Sequence, residues 1–309
     1  MRATYFTEAG TQYGLGHLKR CEAIAQLMPE LCLEPILNES SDLPSSKLRK
    51  WSLSQRSAYR KIMDKSDVVF VDTFLGDREF FEDSNRNKKV IYIDDFLYLN
   101  LPYGLVIDWT IGAEKYRKPV GERYAFGIEY LVTRSVFKNR SRNKNRCQIE
   151  TIVTIFGGAD PRNLTPKFYD LLSGNYKLKC LATSYYPCAT QYTNHPDFRF
   201  DLSDEQLVFE LLEADLVISA GGQMIYELAV LGLPTIALSI IENQNLDIKG
   251  FQDAGLVRVL DTETLDQTTV LECIDSLDIE ERDRMSQAMI QKVGDGSQFR
   301  ECVGSYLCL

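Results

Sequence analysis

Gly14-Leu15-Gly16-His17-Leu18-Lys19-Arg20 is the stretch that decides how this chain is read. Before it, Arg2-Ala3-Thr4-Tyr5-Phe6-Thr7 reads as a short strand. After it, Cys21-Glu22-Ala23-Ile24-Ala25-Gln26-Leu27-Met28 carries helical apolar spacing. Strand, glycine-bearing loop and helix in succession open an α/β fold. Such a turn exposes main-chain N–H groups at the positive end of a helix dipole. Gly14 and Gly16 would let a ligand approach those amides, with Lys19 and Arg20 as nearby cations. His17 is one of only 2 histidines in the chain. Positive potential at the helix start is expected to disfavour its protonation. A neutral imidazole facing an anionic ligand can act as a general base. The alternative is a turn histidine that only caps its helix.

Outward from that unit, apolar runs of strand length alternate with amphipathic stretches. Val68-Val69-Phe70-Val71-Asp72 and Val90-Ile91-Tyr92-Ile93-Asp94-Asp95 are continuous β-rich runs that end in acids, and Gly104-Leu105-Val106-Ile107-Asp108 repeats the pattern. Parallel sheets, buried on both faces, produce such runs. A doubly wound α/β domain follows, with the acids along the carboxyl edge where ligands bind. Asp94 and Asp95 could orient His17 or a substrate amide, or could cap the next helix.

Lys138-Asn139-Arg140-Ser141-Arg142-Asn143-Lys144-Asn145-Arg146 interrupts the pattern. The run is basic, polar and without interleaved aromatics, so it reads as an exposed interdomain linker rather than a phosphate or RNA patch. The expected domains are therefore residues 1–140 and 148–309, with the last helical segment able to pack back on the first. In the second half, Glu150–Phe156, Lys177–Thr183, Asp215–Ser219 and Pro234–Ser239 read as strands. The segment from about Ile279 to Tyr306 reads as helix, broken near Gly294-Asp295-Gly296.

Two glycine pairs in that half sit between a strand and a helix. Gly157-Gly158 follows one strand, and Gly221-Gly222 follows Ser219-Ala220 and precedes Gln223. Glycine lets phosphate come close to the backbone, and two such loops at carboxyl strand ends point to a phosphate cradle. Glu227 lies just over one helical turn beyond Gly222, where a carboxylate could accept two hydrogen bonds from a ribose diol. It could equally be a helix acid facing solvent. Glu242-Asn243-Gln244 follows the fourth strand. Amides there suit sugar hydroxyls, or they cap a helix. His195, in a polar turn, reads as a surface residue.

Bulk composition narrows the classes. The 309 residues suffice for two cores. A net charge of -9 argues against a general nucleic-acid or membrane-surface binder. The 8 cysteines form no C-x-x-C pair and read as scattered reduced thiols. With only His17 and His195 able to add nitrogen ligands, no metal site and no cofactor are expected. No leader is read at the N-terminus, and no apolar run approaches the roughly 18 residues a membrane span needs. A cytoplasmic, monomeric protein is expected.

Three stretches in the same order resemble a known family: Gly-x-Gly-His-x-x-Arg-Cys at 14–21; Phe156-Gly157-Gly158-Ala159-Asp160-Pro161-Arg162-Asn163-Leu164-Thr165; and Ser219-Ala220-Gly221-Gly222 with Tyr226-Glu227-Leu228-Ala229, then Glu242-Asn243-Gln244. The chain resembles, over nearly its whole length, the UDP-2,4-diacetamido-2,4,6-trideoxy-β-L-altropyranose hydrolases of pseudaminic acid biosynthesis. These are similar to the GT-B glycosyltransferase that adds N-acetylglucosamine in peptidoglycan precursor synthesis. The resemblance implies two Rossmann-like domains facing each other across a cleft, with UDP mostly on the second. It implies His17 as the catalytic histidine and Gly157, Gly158, Gly221 and Gly222 around the diphosphate. Glu227 would take the uridine ribose, and Asn243 and Gln244 would lie near the sugar. The chain departs from the family at Phe6-Thr7-Glu8-Ala9, where Phe-Arg-x-Asp is frequent, and at Phe74, where an aromatic hydroxyl is frequent. Both positions bear on the sugar more than on UDP. The expected reaction is metal-independent attack of water at the anomeric carbon, with inversion. Two other readings stay open: a GT-B glycosyltransferase with the same donor class, and a non-catalytic nucleotide-sugar binding protein.

Overall fold

A computed structural model describes residues 1–43, 48–86, 89–94, 101, 103–116, 123–140, 145–158, 160–240 and 244–309. The chain divides into two compact units, Met1–Ser135 with Gly294–Leu309, and Val136–Val293.

The first unit holds β1 (Ala3–Thr7), β2 (Glu34–Asn38), β3 (Lys50–Trp51), β4 (Val68–Val71), β5 (Lys89–Ile93), β6 (Leu105–Asp108) and β7 (Tyr124–Phe126). All pair in parallel, in the order β3-β2-β1-β4-β5-β6-β7. Every residue of β1, β4 and β6 is buried, which is why their sequences run apolar without alternation. One face packs on an aromatic cluster in which Trp51 stacks on Phe80 at 4.5 Å and Phe6 meets Phe80 edge-on at 5.7 Å.

The second unit repeats the plan with β8 (Thr151–Ile155), β9 (Lys177–Ala182), β10 (Phe198–Phe200), β11 (Leu216–Ala220), β12 (Thr235–Leu238) and β13 (Arg258–Val259). Its order is β10-β9-β8-β11-β12-β13, again all parallel. Both sheets therefore share one winding: two strands to one side of the first, the remainder to the other. These are two Rossmann-like, doubly wound sheets. Among the described residues, no helix is long and apolar enough to cross a membrane.

The division of the chain differs from the one expected. The second unit begins at Val136, within the residues assigned to the first domain. Phe137 is fully buried with Val153, Leu181, Val208 and Leu228, so the basic run starts inside the second unit's core. The described part of that run is anchored to the same unit's acids: Arg140 to Glu205 at 2.6 Å, Arg146 to Asp215 at 3.1 Å, and Asn145 to Asp283 at 2.8 Å. Residues 141–144 lie outside the described residues. At the other end, the helix Ile279–Lys292 belongs to the second unit and the helix Ser297–Leu307 to the first. Phe299 meets Trp109 at 6.2 Å, and the Lys89 ammonium donates to the Tyr306 carbonyl at 2.8 Å.

Phe137→Ala should cost about 3–5 kcal/mol in a urea unfolding transition, the range for emptying a buried aromatic site. Arg140→Ala, which removes an exposed ion pair, should cost less than about 1 kcal/mol. Near-equal small effects would return the segment to a linker.

Candidate functional site

In each sheet the winding reverses at one place, between β1 and β4 and between β8 and β11. Loops leaving the carboxyl ends of such strands diverge and open a crevice for a ligand. His17 and the two glycine pairs fall at these two switch points.

After β1 the chain enters a tight loop. Gly10 and Gly14 exchange main-chain hydrogen bonds at 2.9 and 2.7 Å. Gly10 sits at φ +139°, and a Cβ there would run into the Asp42 carboxylate, so only glycine fits. The loop delivers the helix Gly16–Leu27, whose N-cap, Leu15, offers no side-chain cap. His17 lies in its first turn and is 5% exposed.

The imidazole is set by one buried carboxylate. Asp72 follows β4 and is 0% exposed. Its Oδ1 lies 2.8 Å from His17 Nδ1. Its Oδ2 accepts the Tyr5 hydroxyl at 2.6 Å and lies 3.3 Å from Arg20 Nε. Arg20 Nη2 also comes within 3.2 Å of His17 Nδ1. A carboxylate only accepts, so Nδ1 carries the proton toward Asp72, and the Arg20 approach is a close contact rather than a second donor. This fixes the tautomer and leaves the lone pair on Nε2.

The charges follow from the same packing. Burial alone would raise the Asp72 carboxyl, but Arg20 and His17 outweigh it and hold the group below the usual carboxylate range. Burial alone would lower His17. Asp72 overcomes both that and the opposing Arg20, with Glu8 adding to it, and the imidazole is held above its ordinary value. The direction is opposite to the expectation of a histidine kept neutral at the helix start: Asp72 and Glu8 outweigh burial and Arg20. Burial also pushes the Tyr5 phenol well up, so it stays a donor.

The other first-unit residues sort as follows. Arg20 is buried, stacked over Trp109 at 5.8 Å, and committed to Asp72 rather than held out as a phosphate cation. Lys19 pairs with Glu22 at 2.8 Å. Asp94 is buried at the end of β5. Asp95 lies outside the described residues. Asp72 is a site residue that the sequence reading passed over as one strand-end acid among several. Its signal was its place at the end of the strand beside β1. Phe74 brings its ring to 6.2 Å from His17 and 5.7 Å from Tyr13, making an aromatic flank.

In the second unit the two glycine loops are not equivalent. Ile155 and Ser219 are register partners, and Gly157 and Gly221 each lie two residues beyond. After Gly157-Gly158, Asp160 turns its carboxylate onto the next helix, accepting from Leu164 N–H at 2.8 Å and Thr165 N–H at 2.7 Å. That helix start is already occupied by an anion of the chain itself. The helix Gln223–Leu231 is different: its N-cap is Gly222 at φ +80°, with no side-chain cap and no acid in the first turn. Such an end suits an external phosphate. Gln244 lies against it, and a Cβ on Gly221 would come within 2.9 Å of the Gln244 Cβ. Gln244 Oε1 accepts the Ile240 N–H at 3.0 Å. Ser219 is buried and donates to the Ala220 carbonyl at 2.9 Å. Glu227 is 1% exposed on its helix, not the solvent-facing acid that was the alternative. Glu242 and Asn243 lie outside the described residues.

Comparison with solved structures identifies the fold class. MurG of Acinetobacter baumannii superposes with a TM-score of 0.70 at 14% identity, covering 98% of this chain and 99% of that one. The calicheamicin glycosyltransferase CalG4 superposes with a TM-score of 0.59 at 11% identity, over 100% and 98% of the two chains. The chain has the GT-B fold. No family model matches it. An uncharacterized protein of Methanocaldococcus jannaschii is 26% identical over 271 residues, 77% of this chain and 55% of that protein. The pseudaminic acid cytidylyltransferase and UDP-2,4-diacetamido-2,4,6-trideoxy-beta-L-altropyranose hydrolase of Helicobacter pylori is 23% identical over 260 residues, 82% of this chain and 47% of that protein. The chain thus spans about half the length of these two relatives. The spore coat polysaccharide biosynthesis protein SpsG of Bacillus subtilis is 22% identical over 280 residues, 82% of each.

The His17–Asp72 pair leaves a signature in stability against pH. A histidine raised on folding stabilises fully below its unfolded value, roughly 6.5, and the gain is lost as pH rises through the folded value. A lowered aspartate stabilises above roughly 3.9, and that gain is lost as pH falls through its folded value. The difference in Tm between the parent and His17→Gln should therefore be largest between those limits and shrink toward alkaline pH. A difference that does not vary with pH would remove the charged pair.

Proposed function

We propose that this chain is an enzyme acting on a nucleotide sugar, and specifically a hydrolase that releases UDP from a UDP-2,4-diacetamido-2,4,6-trideoxyhexose in surface-glycan biosynthesis. The observation that carries the reading is the imidazole of His17, fixed through Nδ1 by a buried carboxylate at a sheet's switch point. The names of the Helicobacter and Bacillus relatives supply the substrate class and the polysaccharide context.

The diphosphate would sit at the start of the helix Gln223–Leu231, where the N-cap is Gly222 and no side chain caps the helix. Gly157-Gly158 would border it. Glu227 would meet the ribose, and Asn243 and Gln244 the sugar. Water attacks the anomeric carbon as the bond to the phosphate oxygen breaks, and UDP leaves with the electron pair. The proton of water passes to His17 Nε2, and Asp72 stabilises the imidazolium that forms. One base and a stabilised leaving group replace the two carboxylates of ordinary glycosidases. Attack opposite the leaving group inverts the anomeric centre.

A second reading has its own support, because the solved neighbours include glycosyltransferases. In it, His17 deprotonates an acceptor hydroxyl instead of water.

Turnover of UDP-linked diacetamido-trideoxyhexoses, followed by NMR, should show UDP release without any acceptor and the inverted free sugar. Release only with an added acceptor would make the chain a transferase. UDP binding without turnover of any such sugar would leave a binding protein. His17→Asn should lose about 10²–10⁴-fold in kcat while still binding UDP. Since the base acts unprotonated, kcat should fall as pH drops through a midpoint above about 6.5.

A further inference from the structure

The carboxylate that fixes His17 divides the work between its two oxygens. Oδ1 of Asp72 faces the ring, 2.8 Å from His17 Nδ1. Oδ2 takes other partners: the Tyr5 hydroxyl donates to it at 2.6 Å, and Arg20 Nε stands 3.3 Å away. The phenol makes the shorter contact, at the length of a strong hydrogen bond from a neutral hydroxyl to an anion. Its ring is held by the sheet. Tyr5 is 0% exposed in β1, is the register partner of Phe70 in β4, and stacks on that ring at 5.9 Å. Asp72 lies two residues beyond Phe70, on the same face of the sheet.

A phenylalanine would fill this place in the core equally well, so the hydroxyl needs a reason of its own. A hydrogen bond donated to a carboxylate stabilises its charge and weakens its pull on any other proton. What Tyr5 gives to Oδ2 is therefore withdrawn from Oδ1, where the imidazole binds. Burial keeps the phenol protonated, so the bond persists whatever the state of the ring. Further ionisable groups around the pair include Arg20 and Cys21 on the helix of His17, Glu8 after β1, and the buried Asp94 at the end of β5, the strand beside β4. Removing one hydroxyl from Tyr5 leaves all of them in place.

We propose that Tyr5 is a positioning residue for His17: its hydroxyl, donated to Asp72 Oδ2, pins the carboxylate and limits how strongly Oδ1 holds the imidazole and its proton. The inference rests on the reading of His17 as the base, and it concerns how that base is set. Without Asp72 the ring would lose its fixed tautomer. With Asp72 undiluted, the ring would hold a second proton too tightly to serve as a base near neutral pH. Tyr5 sets the balance between the two.

The test reads the ring itself. With only 2 histidines in the chain, a His195→Gln variant assigns the His17 signals in NMR titrations. In Tyr5→Phe the His17 midpoint should rise by about 0.3 to 1 unit, since Asp72 has lost a donor and pulls harder on the ring. The acid limb of kcat should move up with it. Tyr59→Phe is the control: it removes another buried phenol from another buried carboxylate, that of Asp83 at 2.9 Å, and should leave the midpoint where it was. A midpoint unchanged or lowered in folded Tyr5→Phe, or an equal rise in Tyr59→Phe, would overturn the proposal. A rise without turnover of any UDP-sugar would uphold Tyr5 and remove the reaction instead. Should Tyr5→Phe not fold, tyrosines labelled with carbon-13 at Cζ decide, in a Tyr13→Phe background that removes the phenol beyond Phe74. One signal must inflect at the His17 midpoint, and the absence of any such signal overturns the proposal.

Discussion

The first unit's site depends on one carboxylate that has no access to water. A buried anion is tolerable only when its lone pairs and its charge are met at once. Asp72 meets that demand with the Tyr5 hydroxyl, the Arg20 guanidinium and His17 Nδ1. The first comes from β1 and the other two from the helix that follows it, while Asp72 itself lies at the end of β4. The winding of the sheet brings the three together, because β4 is the strand beside β1 across the switch point. The tautomer of His17, its raised affinity for a proton and the burial of Arg20 all follow from satisfying that one group.

The second unit uses the same winding toward a different end. Its two loops at the switch point look alike in sequence, since both carry a glycine pair before a helix. They differ in what fills the helix start. Asp160 closes one with its own carboxylate, whereas the helix after Gly222 has no side-chain cap and no acid in its first turn. An anion supplied by the chain and an anion supplied by a ligand are alternative solutions to the same electrostatic problem.

Much of the fold was legible. Continuous apolar runs at β4, β5 and β6 announced strands buried on both faces, β1, β8, β9, β11 and β12 also read as strands, and the glycine loops marked where helices begin. The strand β2 and the edge strands β3, β7, β10 and β13 were not read, because short and partly exposed segments carry no continuous apolar signal. The unit boundary was misplaced for a related reason. A basic run reads as solvated linker when its counter-ions, such as Glu205 and Asp215, lie more than sixty residues away in the sequence. Phe137, the residue just before that run, sets the boundary, because it is fully buried in the second unit's core cluster.

By itself, the sequence determined the α/β class, the doubled winding, the position of His17 at a helix start and the two glycine turns, because each rests on spacing along the chain. Only the tertiary structure decided which acid holds the imidazole, which glycine loop remains open, and that Arg20 is spent inside the protein. Those are questions of which side chains share a buried volume. Electrostatic free energy in such a volume depends on distance in space and on exclusion of water, and neither is written in the order of residues.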